Sequence, residues 1–93
     1  MHAHVREHAE NRPGVYRMVA GDGEVVYIGK SKQLRARLLS YFRGSFPHDK
    51  GARILRDADW IEWEYMPSEF AALLGELRAI KRYRPRRNVA MKS

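Results

Sequence analysis

The sequence predicts a single small α/β domain, a central three-stranded antiparallel sheet flanked by helices. Three observations predict it. Two runs of β-branched and aromatic residues, Val15 to Val19 and Glu24 to Ile28, bracket Gly21-Asp22-Gly23 and read as a hairpin. A third run, Asp59 to Met66, alternates apolar and polar residues as a half-buried strand does. Elsewhere the apolar spacing is helical. With 93 residues the chain has material for one modest core but not two.

Composition narrows the class before any motif is considered. At 44% hydrophobic and 31% charged residues, the chain is a folded domain rather than a disordered tail. No apolar run approaches the roughly 20 residues that span a bilayer. The start, with His2, His4, Arg6, Glu7, His8 and Glu10, offers no apolar signal segment, so a cytoplasmic, membrane-free location is expected. The absence of cysteine excludes disulfides, thiolate catalysis and cysteine-ligated zinc. A net charge of +7 favours a polyanionic partner. The distribution sharpens this, because Lys30 to Arg56 carries eight cations and Arg78 to Lys92 seven, against three in the first 29 residues. Nucleic acid is the leading partner, and an acidic membrane surface the weaker alternative.

In chain order, residues 1–12 form a polar segment expected to fray, and its three histidines are assigned no role. Pro13 and Gly14 open the first strand. With a two-residue turn at Asp22-Gly23, Met18 sits opposite Tyr27 and Tyr16 opposite Gly29. A four-residue loop instead sets Tyr16 opposite Tyr27. Either register places both tyrosines on one face, whereas a three- or five-residue loop separates them. The second strand ends in Tyr27-Ile28-Gly29-Lys30, read as a junction in which a flexible glycine, free helix N–H groups and cationic side chains suit a phosphate.

From Lys32 to Phe42 the period becomes helical, with Leu34, Leu38, Tyr41 and Phe42 on one stripe and Ser31 as N-cap. Arg37 and Tyr41 lie together at i and i+4, while Arg35 points elsewhere. Gly44-Ser45-Phe46-Pro47 ends this helix, and a shorter one is expected over 51–57. In the third strand Ile61, Trp63 and Tyr65 share a face, with Glu62 and Glu64 towards water. Ser68 then caps a helix whose apolar stripe is Phe70, Leu73, Leu74, Leu77 and Ile80, with Glu76 displaced from it by roughly 80°. Pro85 stops that helix, and Arg86-Arg87-Asn88-Val89 runs back along the domain. The core unit is thus 13–89, with 90–93 a tail and no internal repeat.

By chemistry, the candidate site residues are Tyr16, Tyr27, Lys30, Arg37, Tyr41, Glu76 and Asn88. With them the sequence resembles the GIY-YIG nuclease family, Gly14-Val15-Tyr16 standing for the first signature triplet and Tyr27-Ile28-Gly29 for the second. The likeness is greatest to the N-terminal nuclease domain of UvrC-type excision-repair endonucleases. Gly29 to Phe42 is similar to that family's post-strand helix, and Ala72 to Glu76 with Ile80 to Arg86 and Asn88-Val89 to its glutamate helix and tail. Valine replaces isoleucine in the first triplet, and Gly75 stands where leucine is usual, which predicts a looser helix around Glu76.

The resemblance implies a metal-dependent DNA endonuclease that leaves 5′-phosphate and 3′-hydroxyl ends. One divalent ion, Mg²⁺ or Mn²⁺, would be held by Glu76, with water and phosphate completing the shell. Glu69, two turns earlier, is the rival ligand. Arg37 corresponds to the arginine that meets charge on the scissile phosphate. Apart from the family, it ranks with Arg35. Tyr27 is the implied water-activating or water-orienting tyrosine, with Lys30 favouring its phenolate and Tyr16 as the alternative. Asn88 matches a residue fixing site geometry, or is a turn-capping asparagine. Lys30, Lys32, Arg35, Arg43, Lys81, Arg84 and Arg86 are the expected DNA contacts. The expected actor is a monomer, either stand-alone or one domain of a larger repair protein. The alternatives are a basic nucleic-acid-binding module with little autonomous activity and a nuclease delivered by a targeting or repair partner.

Overall fold

The hairpin sets the geometry of everything that follows. In the computed structural model, which describes residues 1–44 and 49–90, β1 (Gly14–Val19) pairs antiparallel with β2 (Val25–Ser31). Ala20 N–H donates to the Glu24 carbonyl (2.8 Å) and Gly23 N–H to the Ala20 carbonyl (2.9 Å), closing a loop of Gly21, Asp22 and Gly23. Gly23 has φ +92°, a left-handed conformation that a side chain would strain. This is the three-residue loop that on its own sets Tyr16 and Tyr27 on opposite faces. A β-bulge reverses that outcome. Val19 pairs with Val25 but Met18 pairs with Tyr27, so Val26 is the extra residue, and Tyr16 meets Gly29. Val26 consequently turns into the same core as Tyr16 and Met18.

β3 (Trp60–Tyr65) adds antiparallel to the other side of β1, giving the order β2-β1-β3. Ile61 is buried while Glu62 and Glu64 are exposed, as the alternation predicts. Arg17 and Glu62 face each other in register and pair at 3.1 Å. As the central strand, β1 is buried on both faces.

One face of the sheet is covered by α1 (His2–His8), α2 (Leu34–Tyr41) and α3 (Lys50–Arg56), whose Val5, Leu34, Leu38 and Ile54 join Tyr16, Met18 and Ile61 in one cluster. The polar start is therefore a helix and not a frayed end. Its apolar positions, Val5 and Ala9 at i and i+4, reach the core, and its His2 ring stacks on Phe42 at 4.4 Å. Ser31 does not cap α2. It ends β2, where its hydroxyl accepts from Gln33 N–H (3.0 Å). The first turn of α2 is capped from outside, by the Arg12 carbonyl on Leu34 N–H (3.1 Å) and the Asn11 carboxamide on Ala36 N–H (3.1 Å). Asp49 caps α3 through Ala52 N–H. The Ser45-Phe46-Pro47 stop lies outside the described residues, as do 91–93 of the tail.

The other face is covered by α4 (Glu69–Tyr83), capped by Ser68 as expected, and by the short α5 (Arg86–Ala90) against β2. The orientation of α4 departs from its apolar stripe. Phe70 is 67% and Leu77 53% exposed, and Leu73 and Leu74 also face outward. The side that meets the sheet is small, with Ala72 buried and Gly75 and Ala79 below it. A Cβ on Gly75 would lie 3.2 Å from Val15 Cγ2 and 3.0 Å from Met66 Cε. Gly75 thus faces the sheet, and the helix runs unbroken through it. Arg84, at φ 43°, ends α4 before Pro85, and the following residues form α5 where a plain return segment was expected.

Candidate active site

Tyr16 is the structural centre of the site. Fully buried in β1, it lies across Gly29, its partner in register, and a Cβ on Gly29 would overlap the phenol ring. Gly29 is therefore small because a ring passes over it. It does not serve as a flexible junction, since its φ is ordinary. The Tyr16 hydroxyl is hydrogen-bonded to the Tyr41 hydroxyl at 2.6 Å, and the rings meet edge to face at 5.8 Å. A solvent-edge position for Tyr16 is thereby excluded.

Tyr41 comes from α2, one turn beyond Arg37. The pKa of the exposed Arg37 guanidinium is raised, first through Tyr16, so this arginine lies close to the buried tyrosine layer. Tyr27, half-buried on β2, lies 6.3 Å from Tyr16 between ring centroids. Tyr27, Arg37 and Tyr41 line a cleft of about 370 Å³ that continues past Ser40 to Asp49, Lys50 and Gly51.

Electrostatics tie this wall to α4. Burial foremost, then Tyr16, pushes the Tyr27 pKa up. Arg37 and the Tyr41 hydroxyl act against that rise, and the Glu76 charge adds to it. At neutral pH Tyr27 is therefore a phenol. The Lys30 charge acts on Glu76. Burial pushes the half-buried Glu76 carboxyl above the usual carboxylate range, and Lys30 opposes it. Tyr41 is also raised, by burial and then by Tyr16.

Asn88 does not cap a turn. Its side-chain oxygen accepts from Ile28 N–H and its amide nitrogen donates to the Ile28 carbonyl, both at 2.8 Å. Because β2 is an edge strand, the carboxamide takes the place of a neighbouring strand there. The rival carboxylate Glu69 is exposed and sits 3.8 Å from Lys32, beside a cavity of about 280 Å³ shared with Lys30 and Ser31.

Three of the amides near the junction read as a phosphate site are engaged. Gln33, Leu34 and Ala36 N–H groups already have Ser31, Arg12 and Asn11 as acceptors. Of the expected DNA contacts, Lys30, Lys32, Arg43, Lys81 and Arg84 are exposed. Arg35 instead donates to the Arg6 carbonyl (3.2 Å), and Arg86 pairs with Glu24 (3.2 Å) and Asp57 (3.4 Å). Sequence reasoning missed Asp49 and Lys50 on the cleft, although an Asp before a helix is a readable cap. It also missed the Asp57–Arg87 pair, which no spacing rule connects. Among the described residues no group of three or more His, Cys, Asp or Glu gathers to hold a metal.

A three-stranded antiparallel sheet with helices on both faces is the fold of the GIY-YIG nuclease class, and solved structures of that class match it. The N-terminal GIY-YIG endonuclease domain of UvrC from Thermotoga maritima, bound to magnesium as its catalytic divalent cation, matches with TM-score 0.77 and 37% identity over 89% of this chain and 93% of that one. A point mutant of that domain, also cation-bound, matches with TM-score 0.78 and 36% identity, covering 89% and 92%. Among full-length relatives, the UvrABC system protein C of Mesorhizobium japonicum is 42% identical over 88% of this chain, and that of Edwardsiella ictaluri 44% over 88%. The chain spans only 12% and 13% of those proteins. The family model of the UvrC-like GIY-YIG domain matches residues 12–89. This chain belongs to the UvrC-like GIY-YIG domain family.

Proposed function

We propose that the chain is a metal-dependent DNA endonuclease that hydrolyses one phosphodiester bond, the incision chemistry of excision repair, in the bacterial cytoplasm and with a repair partner to deliver it. The observation that carries this reading is the junction of Tyr27, Arg37 and Tyr41 on one open cleft with a half-buried carboxylate, Glu76, close enough to act on Tyr27.

The donor set fits a hard cation. A single carboxylate with its pKa raised by burial gains from a nearby positive charge, and its remaining partners would be water and phosphate oxygens. Glu76 would hold Mg²⁺ or Mn²⁺, which supplies Lewis-acid polarisation of the phosphate and of water when bound. Arg37, beside Tyr16, binds a non-bridging phosphate oxygen and stabilises the charge that develops there. Tyr27, a phenol at neutral pH, orients the attacking water by hydrogen bonding. Tyr41 is held by Tyr16 and keeps the Arg37 side of the cleft in place. Asn88 holds the backbone of Ile28, and so the strand that presents Tyr27 and Lys30. The exposed Lys30, Lys32, Arg43, Lys81 and Arg84 supply salt-sensitive phosphate contacts.

Cleavage of plasmid and nicked duplex in Mg²⁺ or Mn²⁺ tests the reading. Wild-type turnover is expected, with Glu76→Ala and Arg37→Ala each reduced by about a hundredfold or more. Full activity in either variant would remove that residue from the site. Salt-sensitive binding with no turnover under any metal would identify a binding module instead.

A further inference from the structure

Asn88 acts on the site only if α5 is held still, and α5 is a helix of five residues. An isolated helix of that length has no stability of its own. The structure shows what holds it. Arg87, the residue before Asn88, directs its Nε (2.8 Å) and one terminal nitrogen to the same oxygen of Asp57, and both side chains are partly buried. Arg86 adds a second attachment, to Asp57 and to Glu24 at the tip of the hairpin. Asp57 is the C-cap of α3, a helix on the opposite face of the sheet. The pair therefore ties α5 to the far layer around the edge of the domain.

We propose that Asp57 and Arg87 are positioning residues for the incision reaction, acting through Asn88 to fix β2 at Ile28. Ile28 lies between Tyr27 and Gly29-Lys30, so any movement of its backbone passes directly to both functional side chains. Arg87 is thus assigned to an internal partner and not to DNA, and the same holds for Arg86. The catalytic part of this inference rests on the proposed nuclease activity. The structural part does not.

Amide exchange in the metal-free chain provides the independent measurement. Ile28 N–H points outward from the sheet edge to Asn88, so its protection reports whether that side chain is seated. Asp57→Ala and Arg87→Ala are expected to speed Ile28 exchange by about tenfold, with the amides of Tyr16 and Met18 in central β1 unchanged. Arg87→Lys, which keeps the charge but loses the fork, should give an intermediate rate. Should Asp57→Ala not fold, Asp57→Asn carries the same comparison. In cleavage assays kcat should fall with KM within about twofold, and Asp57→Ala should add nothing to Asn88→Ala. Unchanged Ile28 protection, or kcat losses that multiply with Asn88→Ala, would overturn the proposal. So would Arg87→Ala raising KM alone, the signature of a phosphate contact. If the wild type cleaves nothing, the exchange result still decides the positioning role while the nuclease reading fails by itself.

Discussion

Replacing Gly29 by alanine tests the steric reading of the paired signature triplets most directly. Gly29 has no positive φ, so alanine brings no backbone strain, and whatever it costs comes from its methyl group. That methyl would occupy the volume of the Tyr16 ring. The ring has no slack, being fully buried and bonded through its hydroxyl to Tyr41. Forcing an extra carbon into a filled core costs about 1–3 kcal/mol. Displacing the ring also breaks the Tyr16–Tyr41 bond, adding about 1 kcal/mol. The sum, about 2–4 kcal/mol, lowers Tm by roughly 10–30 °C in a domain of this size. Thermal unfolding followed by far-UV circular dichroism measures it. Gly29→Ala with Tyr16→Leu should be more stable than the sum of the two single effects, because the obstructing ring is gone. A loss under about 0.5 kcal/mol for Gly29→Ala would refute the argument, since that is the range of surface changes.

Three further outcomes follow from the same geometry. Tyr16→Phe leaves the buried Tyr41 hydroxyl without its Tyr16 partner and should cost about 1–3 kcal/mol in urea denaturation, with kcat falling more than KM rises because Tyr41 is less firmly held on the cleft. Leu77→Gln, on the outward stripe of α4, should change stability by no more than about 0.5 kcal/mol, where a core leucine would lose about 2–5 kcal/mol. Glu76→Gln should abolish cleavage yet stabilise the metal-free chain at neutral pH. The folded pKa of Glu76 is raised, so its favourable contribution is complete below the unfolded carboxylate pKa and is lost as pH rises through the folded value. The Tm advantage of the glutamine variant should therefore vanish in acid, and Mg²⁺ should raise the Tm of the wild type alone.

Much of the fold was legible because local chemistry and tertiary position agreed. The alternation of β3, the Ser68 cap of α4 and the Arg37–Tyr41 pairing on α2 each depend on neighbours a few residues away. The failures occur where a distant residue decides. Ser31 lost its cap role because Asn11 and Arg12 reach α2 from the N-terminal segment. The apolar stripe of α4 promised a core face, but the sheet presents Val15 and Ile28 to a surface that Ala72 and Gly75 fit closely, and the large side chains were turned outward. The Asn88 carboxamide could be named from the family pattern, whereas its use as a substitute strand partner depends on β2 being an edge.

The bulge at Val26 and the loop at the hairpin tip are linked in an arithmetical sense. Side-chain orientation along a strand is a parity, and two odd steps, a three-residue loop and one extra strand residue, restore it. Deleting Val26, or one loop residue, would leave Met18 facing Tyr27 across a shorter connection, so neither change by itself would turn Tyr16 and Tyr27 to opposite faces. The orientation of the two tyrosines is therefore held by the pairing from Gly14 to Met18, and the hairpin tip remains open to changes of length.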